Sequence, residues 1–160
     1  MLLLSAAGDE YFIRRLQSVL NAAARLIFHL RRSDHISDAL VCLNWLRVPK
    51  RVEYKIAVLT YKVLCGIAPR YLGPLNRVAD VSDRRSLRSS GTNRLVVPPF
   101  RLSTVGSRAF PVAAAKIWNA LPDSLVAMTS LQTFRRHLKT FLFQRSFDST
   151  AVDLAVVLHY

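Results

Sequence analysis

Apolar residues recur at helical spacing along several stretches of this chain, with polar or proline-containing breaks between them. From Asp9 to about Leu30, Phe12, Ile13, Leu16, Val19, Leu20, Ala23, Leu26, Ile27 and Leu30 follow the i, i+3, i+4, i+7 spacing of one helix face. Asp9 stands where an N-cap would, and Arg14, Arg15, Arg25, Arg31 and Arg32 fall opposite, read as a solvated basic face in preference to a phosphate-binding one. After Arg32-Ser33-Asp34, a short second helix is predicted by Ile36, Leu40, Leu43 and Leu46, with Trp45 as a packing anchor. Pro49 takes the N1 position of a third helix, where its missing N–H costs nothing. That helix presents Val52, Ile56, Leu59 and Val63, widened by Ala57 and Leu64, and Gly66 ends it.

The periodicity then fails. Pro69, Gly73 and Pro74 mark a turn, and Arg77 to Gly91 reads as an exposed Ser/Arg/Asp/Gly loop. LVVPP and RLSTV are brief extended runs, with a hairpin turning through Pro98 to Arg101 and ending at Gly106. A helix starting near Ser107 carries Phe110, Ala113, Ala114, Ile117, Trp118 and Leu121 on its apolar side, tolerates Pro111 in its first turn, and closes at Pro122. DSLVAM is a linking turn. Thr129 to Gln132 matches a capping box, opening a last helix with Leu131, Phe134, Leu138, Phe141 and Leu142 inward and Arg135, Arg136 and Lys139 outward.

These elements predict a mainly α fold: four or five amphipathic helices around one core, with a short extended or hairpin excursion near residues 94–105. Residues 1–8 form a frayed lead-in, 9–147 a single helical domain containing a basic loop at 77–106, and 148–160 a tail. A chain of 160 residues suits one domain, and 51% hydrophobic residues suffice for a sizeable core.

Charge changes the picture more than any motif. The formal net charge is +13, and arginine outnumbers lysine 18 to 5, which suits planar, bidentate contact with phosphate or carboxylate. A basic balance of this size favours polyanionic partners. Arg84 to Pro122 concentrates it, with six arginines and one lysine and no acid. Cys42 and Cys65 lie in apolar periodic stretches and are expected to be buried free thiols in a reducing compartment. Without a CxxC pair or Cys/His cluster, no metal is expected. The opening MLLLSAAG is a poor secretory signal and the closing AVDLAVVLHY is too short to span a bilayer. No GxSxG, HExxH, Walker loop or GxGxxG is present, and His35 beside Asp34 has no nucleophile near it, so the chain is read as a non-enzyme without cofactors.

Four pieces together carry a family resemblance: LQSVLNAAARLI, HISDALVCLNWLRVPKRVEYKIAVLTYKVLCGIAPRYL, RRSLRSSGTNRLVVPPFRLSTVGSRAFPVAAAKIWNALP and SLQTFRRHLKTFLF. In this order and spacing they resemble the region downstream of the polymerase core in LINE-type (non-LTR) retrotransposon reverse transcriptases, over about residues 13 to 147, most specifically from Gly106 to Pro122. Phe100 departs from the basic or small residue the family has there. The resemblance implies descent from a reverse transcriptase polyprotein, an intracellular location in nucleus or cytoplasm, and a place after the catalytic palm. The family's metal-holding aspartate pair is absent, no Asp-Asp dipeptide occurring in the chain, and the endonuclease is missing, so the parent activity does not carry over.

The function expected is therefore a nucleic-acid-binding accessory module. Arg84, Arg85, Arg88, Arg94, Arg101 and Arg108 would contact RNA or DNA phosphates, helped by the hydroxyls of Ser86, Ser89 and Ser90, with Tyr71 and Phe100 available for stacking. The alternatives are an α-helical scaffold docking on the missing polymerase or an acidic partner, with the apolar faces of its first and last helices partly exposed, and a relic with no selected role.

Overall fold

In the computed structural model the residues described are 6–80, 93–101 and 106–147. Six α-helices lie among them: α1 (Ala6–Phe28), α2 (Ser37–Cys42), α3 (Val48–Leu64), α4 (Phe110–Asn119), α5 (Asp123–Val126) and α6 (Leu131–Gln144). One-turn 3-10 segments occur at Arg70–Leu72, Val78–Asp80 and Gly106–Arg108. No strand forms among the described residues, and the architecture is mainly helical as the periodicity predicts. The linking turn DSLVAM winds into the single turn of α5.

The layering centres on α3, which packs on α4, α6 and α1, while α2 packs on α1. Small residues make the close approaches possible: Ala57 of α3 and Ala114 and Ala115 of α4 are fully buried. One aromatic from each of three helices fills the centre. Tyr61 of α3 stacks on Phe134 of α6 at 4.7 Å between ring centroids and 24° between planes, and Trp118 of α4 lies 5.8 Å from Phe134. Such pairs add attraction beyond the area they bury. Leu138 and Leu142 extend this core along α6, as expected, and Phe143 joins them.

Three helices end in the same way. In α3 the N–H of Ile67 reaches the carbonyl of Lys62 and that of Gly66 reaches Val63, with Gly66 at φ +71°. This is the double bond of a Schellman ending, which satisfies last-turn carbonyls. In α1 the Leu30 N–H reaches Arg25 and His29 holds the left-handed position at φ 52°. In α2 the Trp45 N–H reaches Leu40 and Asn44 holds it at φ 53°.

Several sequence expectations shift. Asp9 lies within α1, which starts at Ala6, and not at the position before the helix. The capping box does not form: α6 is preceded by Ser130, not Thr129, and has no side-chain cap hydrogen bond. Cys42 and Cys65 are free, as expected, but exposed: Cys42 is the last residue of α2 and Cys65 follows the last residue of α3. The inward face of α3 includes Thr60 and Tyr61 in place of Val52 and Leu59. Thr60 can be buried because its hydroxyl donates to the Ile56 carbonyl one turn back, at 2.8 Å.

The largest departure is in α1. Its apolar positions cover more than one face, and only the side through Leu20 and Ala24 meets the core. Phe12, Leu16, Val19 and Leu26 remain exposed, Val19 at 69% and Leu26 at 77%. Their spacing of four, three and seven residues keeps them on one stripe of the helix.

Candidate nucleic-acid interface

The basic segment 93–101 is held by the C-terminal end of α4. Trp118 donates its indole N–H to the Asn93 carbonyl at 2.9 Å. Asn119 accepts from the Leu95 N–H at 2.8 Å and donates to the Leu95 carbonyl at 2.9 Å. On the other side of the segment, Val78 donates to the Arg94 carbonyl and Val96 to the Asn76 carbonyl, both at 2.9 Å, around an isolated antiparallel bridge between Arg77 and Leu95. Three successive residues thus have their backbone groups engaged, alternately by main chain and by a side-chain amide. Leu95 points inward at 2% exposure and Arg94 lies at the surface.

From this anchor the segment runs back along α4. At its far end Phe100 lies against Gly106, just before the helix: a Cβ on Gly106 would sit 2.6 Å from the Cβ of Phe100. The ring of Phe100 carries the Lys116 ammonium 5.2 Å from its centroid. That contact occupies one face of Phe100, which is itself exposed. Ten residues of α-helix are about 15 Å long, so Arg94 near one end of α4 and Arg101 near the other are spread along that length. Arg101 is exposed, and Arg108, in the 3-10 turn leading into α4, is half-buried.

No family model matches this chain, and no curated protein or solved structure does.

Of the six arginines expected at the site, Arg94, Arg101 and Arg108 flank α4, whereas Arg84, Arg85 and Arg88 lie outside the described residues. The expected hairpin is replaced in part: the extended run at 93–96 pairs with Asn76 to Val78. Its expected second arm, residues 102–105, also lies outside the described residues. Tyr71 is 85% exposed on the 3-10 turn after α3.

Between described residues two ion pairs form, Arg14 with Glu10 and Lys50 with Glu53, and neither touches the segment along α4. Asp34 is taken up by the turn after α1, where its carboxylate accepts from the Arg31 N–H at 2.6 Å, and His35 is exposed. Among the described residues no group of three His, Cys, Asp or Glu side chains could hold a metal ion, and no helix is long and apolar enough to cross a membrane. Tyr61 has a raised pKa, mainly because burial disfavours the phenolate and secondarily because Cys65 lies beside it.

What sequence reasoning missed is the role of Trp118 and Asn119 as the clamp on the basic segment. Trp118 was legible as a core residue, but the hydrogen bonds link residues 24 and 25 positions apart. A signal was present in the polar Asn119 beside it, at the end of an apolar helix.

Proposed function

We propose that this chain is a non-enzymatic nucleic-acid-binding accessory module, of non-LTR retrotransposon reverse transcriptase descent, that grips phosphodiester backbone through Arg84, Arg85, Arg88, Arg94, Arg101 and Arg108. The observation that carries this reading is the clamping of segment 93–101 on α4. A loop fixed at both ends presents Arg94 and Arg101 with little ordering left to do on binding, which raises the affinity available from each contact. Phosphate contacts of this kind position a strand without reading its sequence.

The test is binding of the purified chain to single-stranded RNA, duplex DNA and heparin over a salt series, beside a variant with all six arginines changed to glutamine. The expected result is steep salt dependence that flattens in the variant. Equal, weak binding by both proteins would overturn it.

The exposed stripe on α1 favours a second reading, an α-helical scaffold that docks on an upstream polymerase region. Apolar patches of this kind mark interaction sites on soluble proteins. A monomer that binds no hydrophobic dye would count against it.

A further inference from the structure

A groove of about 740 Å³ runs between α1, the start of α3 and the residues just after α6. Five cations line it: Arg14 and Arg25 from α1, Arg47 and Lys50 from the α3 entrance, and Arg145 after α6. Among the described residues no Asp or Glu lines it, and it shares none of them with the segment along α4. We infer that this groove is a second phosphodiester-binding surface, taking the backbone of a single-stranded nucleic acid.

The pairing within the groove supports this. Arg14 and Lys50 are partly neutralised by Glu10 and Glu53 on their own helices. The other three have no carboxylate partner among the described residues. Arg25 reaches only the Asp34 carbonyl, at 3.4 Å, and its Nε is buried without a hydrogen-bond partner. Arg47 lies over the Phe147 ring at 5.3 Å and donates to the Ser37 hydroxyl at 3.2 Å. Arg145 lies over the Phe141 ring at 5.5 Å. A guanidinium packed by its face on an aromatic ring keeps edge N–H donors for an acceptor such as a phosphate oxygen.

Cations of one sign in a concave site focus potential and concentrate an opposite charge there. Three guanidiniums without a carboxylate partner among the described residues, drawn from three separate elements, suit a ligand whose charge repeats along its length more than a single small anion. Among the described residues no aromatic side chain lines the groove, so they offer bases no platform and the strand is held by its backbone. The inference rests on the nucleic-acid reading above and places a further contact on a different face of the molecule.

The test uses the full chain and a fluorescent oligouridine 20-mer, with affinity measured by anisotropy over a salt series. The unsubstituted chain is compared with Arg47→Gln/Arg145→Gln and with the six-arginine variant. Loss of two phosphate contacts is expected to lower the slope of log affinity against log salt by about 1.4 in the groove variant, at roughly 0.7 per contact for a single strand. An unchanged slope in that variant, with the unsubstituted chain binding normally, would overturn the groove and leave the nucleic-acid reading standing. No binding by the unsubstituted chain would overturn both. Arginine modification by phenylglyoxal, mapped by mass spectrometry on the unsubstituted chain, needs no variant to fold. Protection of Arg47 and Arg145 by the oligonucleotide is expected, and equal modification with and without it would overturn the inference.

Discussion

Asn119 pairs with Leu95 as a neighbouring β-strand would, its side-chain amide accepting from the Leu95 N–H and donating to the Leu95 carbonyl. A single residue at the end of a helix thereby completes the backbone bonding of a segment that has no sheet to join. Asn119→Leu removes both bonds and leaves two main-chain groups unpaired beside the core. The expected loss of stability is about 2–4 kcal/mol, from roughly 1–3 for each unsatisfied group with partial relief by water. Urea denaturation followed by circular dichroism measures it. Asn119→Asp keeps the acceptor and is expected to lose less.

Gly106 is fixed by its neighbour, not by its backbone angles. Gly106→Ala is expected to destabilise by about 1–3 kcal/mol, the usual cost of forcing extra volume into a packed contact. Because the nearest atom is the Phe100 Cβ, Phe100→Ala should give no relief, whereas Phe100→Gly should. A thermal unfolding series on the double variants separates the two outcomes.

His29 occupies a left-handed position at the end of α1, where a side chain costs roughly 1–2 kcal/mol relative to glycine. Part of that gain is offset by the greater unfolded-state freedom of glycine. His29→Gly is therefore expected to stabilise the chain by up to about 1 kcal/mol. The same substitution at Asn44 should gain less, since asparagine tolerates this region better. Denaturation midpoints of the two variants test the order.

Tyr61 gives a pH dependence with a definite sign. Its pKa is raised in the folded chain, above 10.0 in the unfolded one, so the folded state holds the proton more tightly. The corresponding stability is fully present below pH 10 and is lost as pH rises through the folded value. Tyr61→Phe should lack that component of the alkaline decline. Urea midpoints for both proteins between pH 8 and about pH 11 provide the comparison.

The parts of the fold legible in the sequence were those set by local rules. Pro49 falls in the first turn of α3, one residue later than the expected first position, Gly66 follows its end, and Trp118, Phe134, Leu138 and Leu142 face inward as their spacing requires. In α1 the rule underdetermines the answer: apolar residues occupy so much of the helix that spacing cannot say which part meets the core. Thr129 and Ser130 are both able caps, and a one-residue difference undoes the capping box. The pairing of Leu95 with Arg77 on one side and Asn119 on the other depends on chain separations that no window samples. Arg25, Arg47 and Arg145 likewise look unrelated until α1, α3 and α6 are packed together.

The bare stripe on α1 sets how the chain behaves in concentrated solution. Two copies, each at +13, repel one another at low salt and keep their stripes apart. The screening length falls from about 10 Å at 0.1 M to about 3 Å at 1 M, so a salt wash strong enough to strip bound polyanions also removes the barrier to self-association. On the proposed function, purification is expected to have a window bounded on one side by nucleic-acid carry-over and on the other by adhesion through the exposed Leu16, Val19 and Leu26.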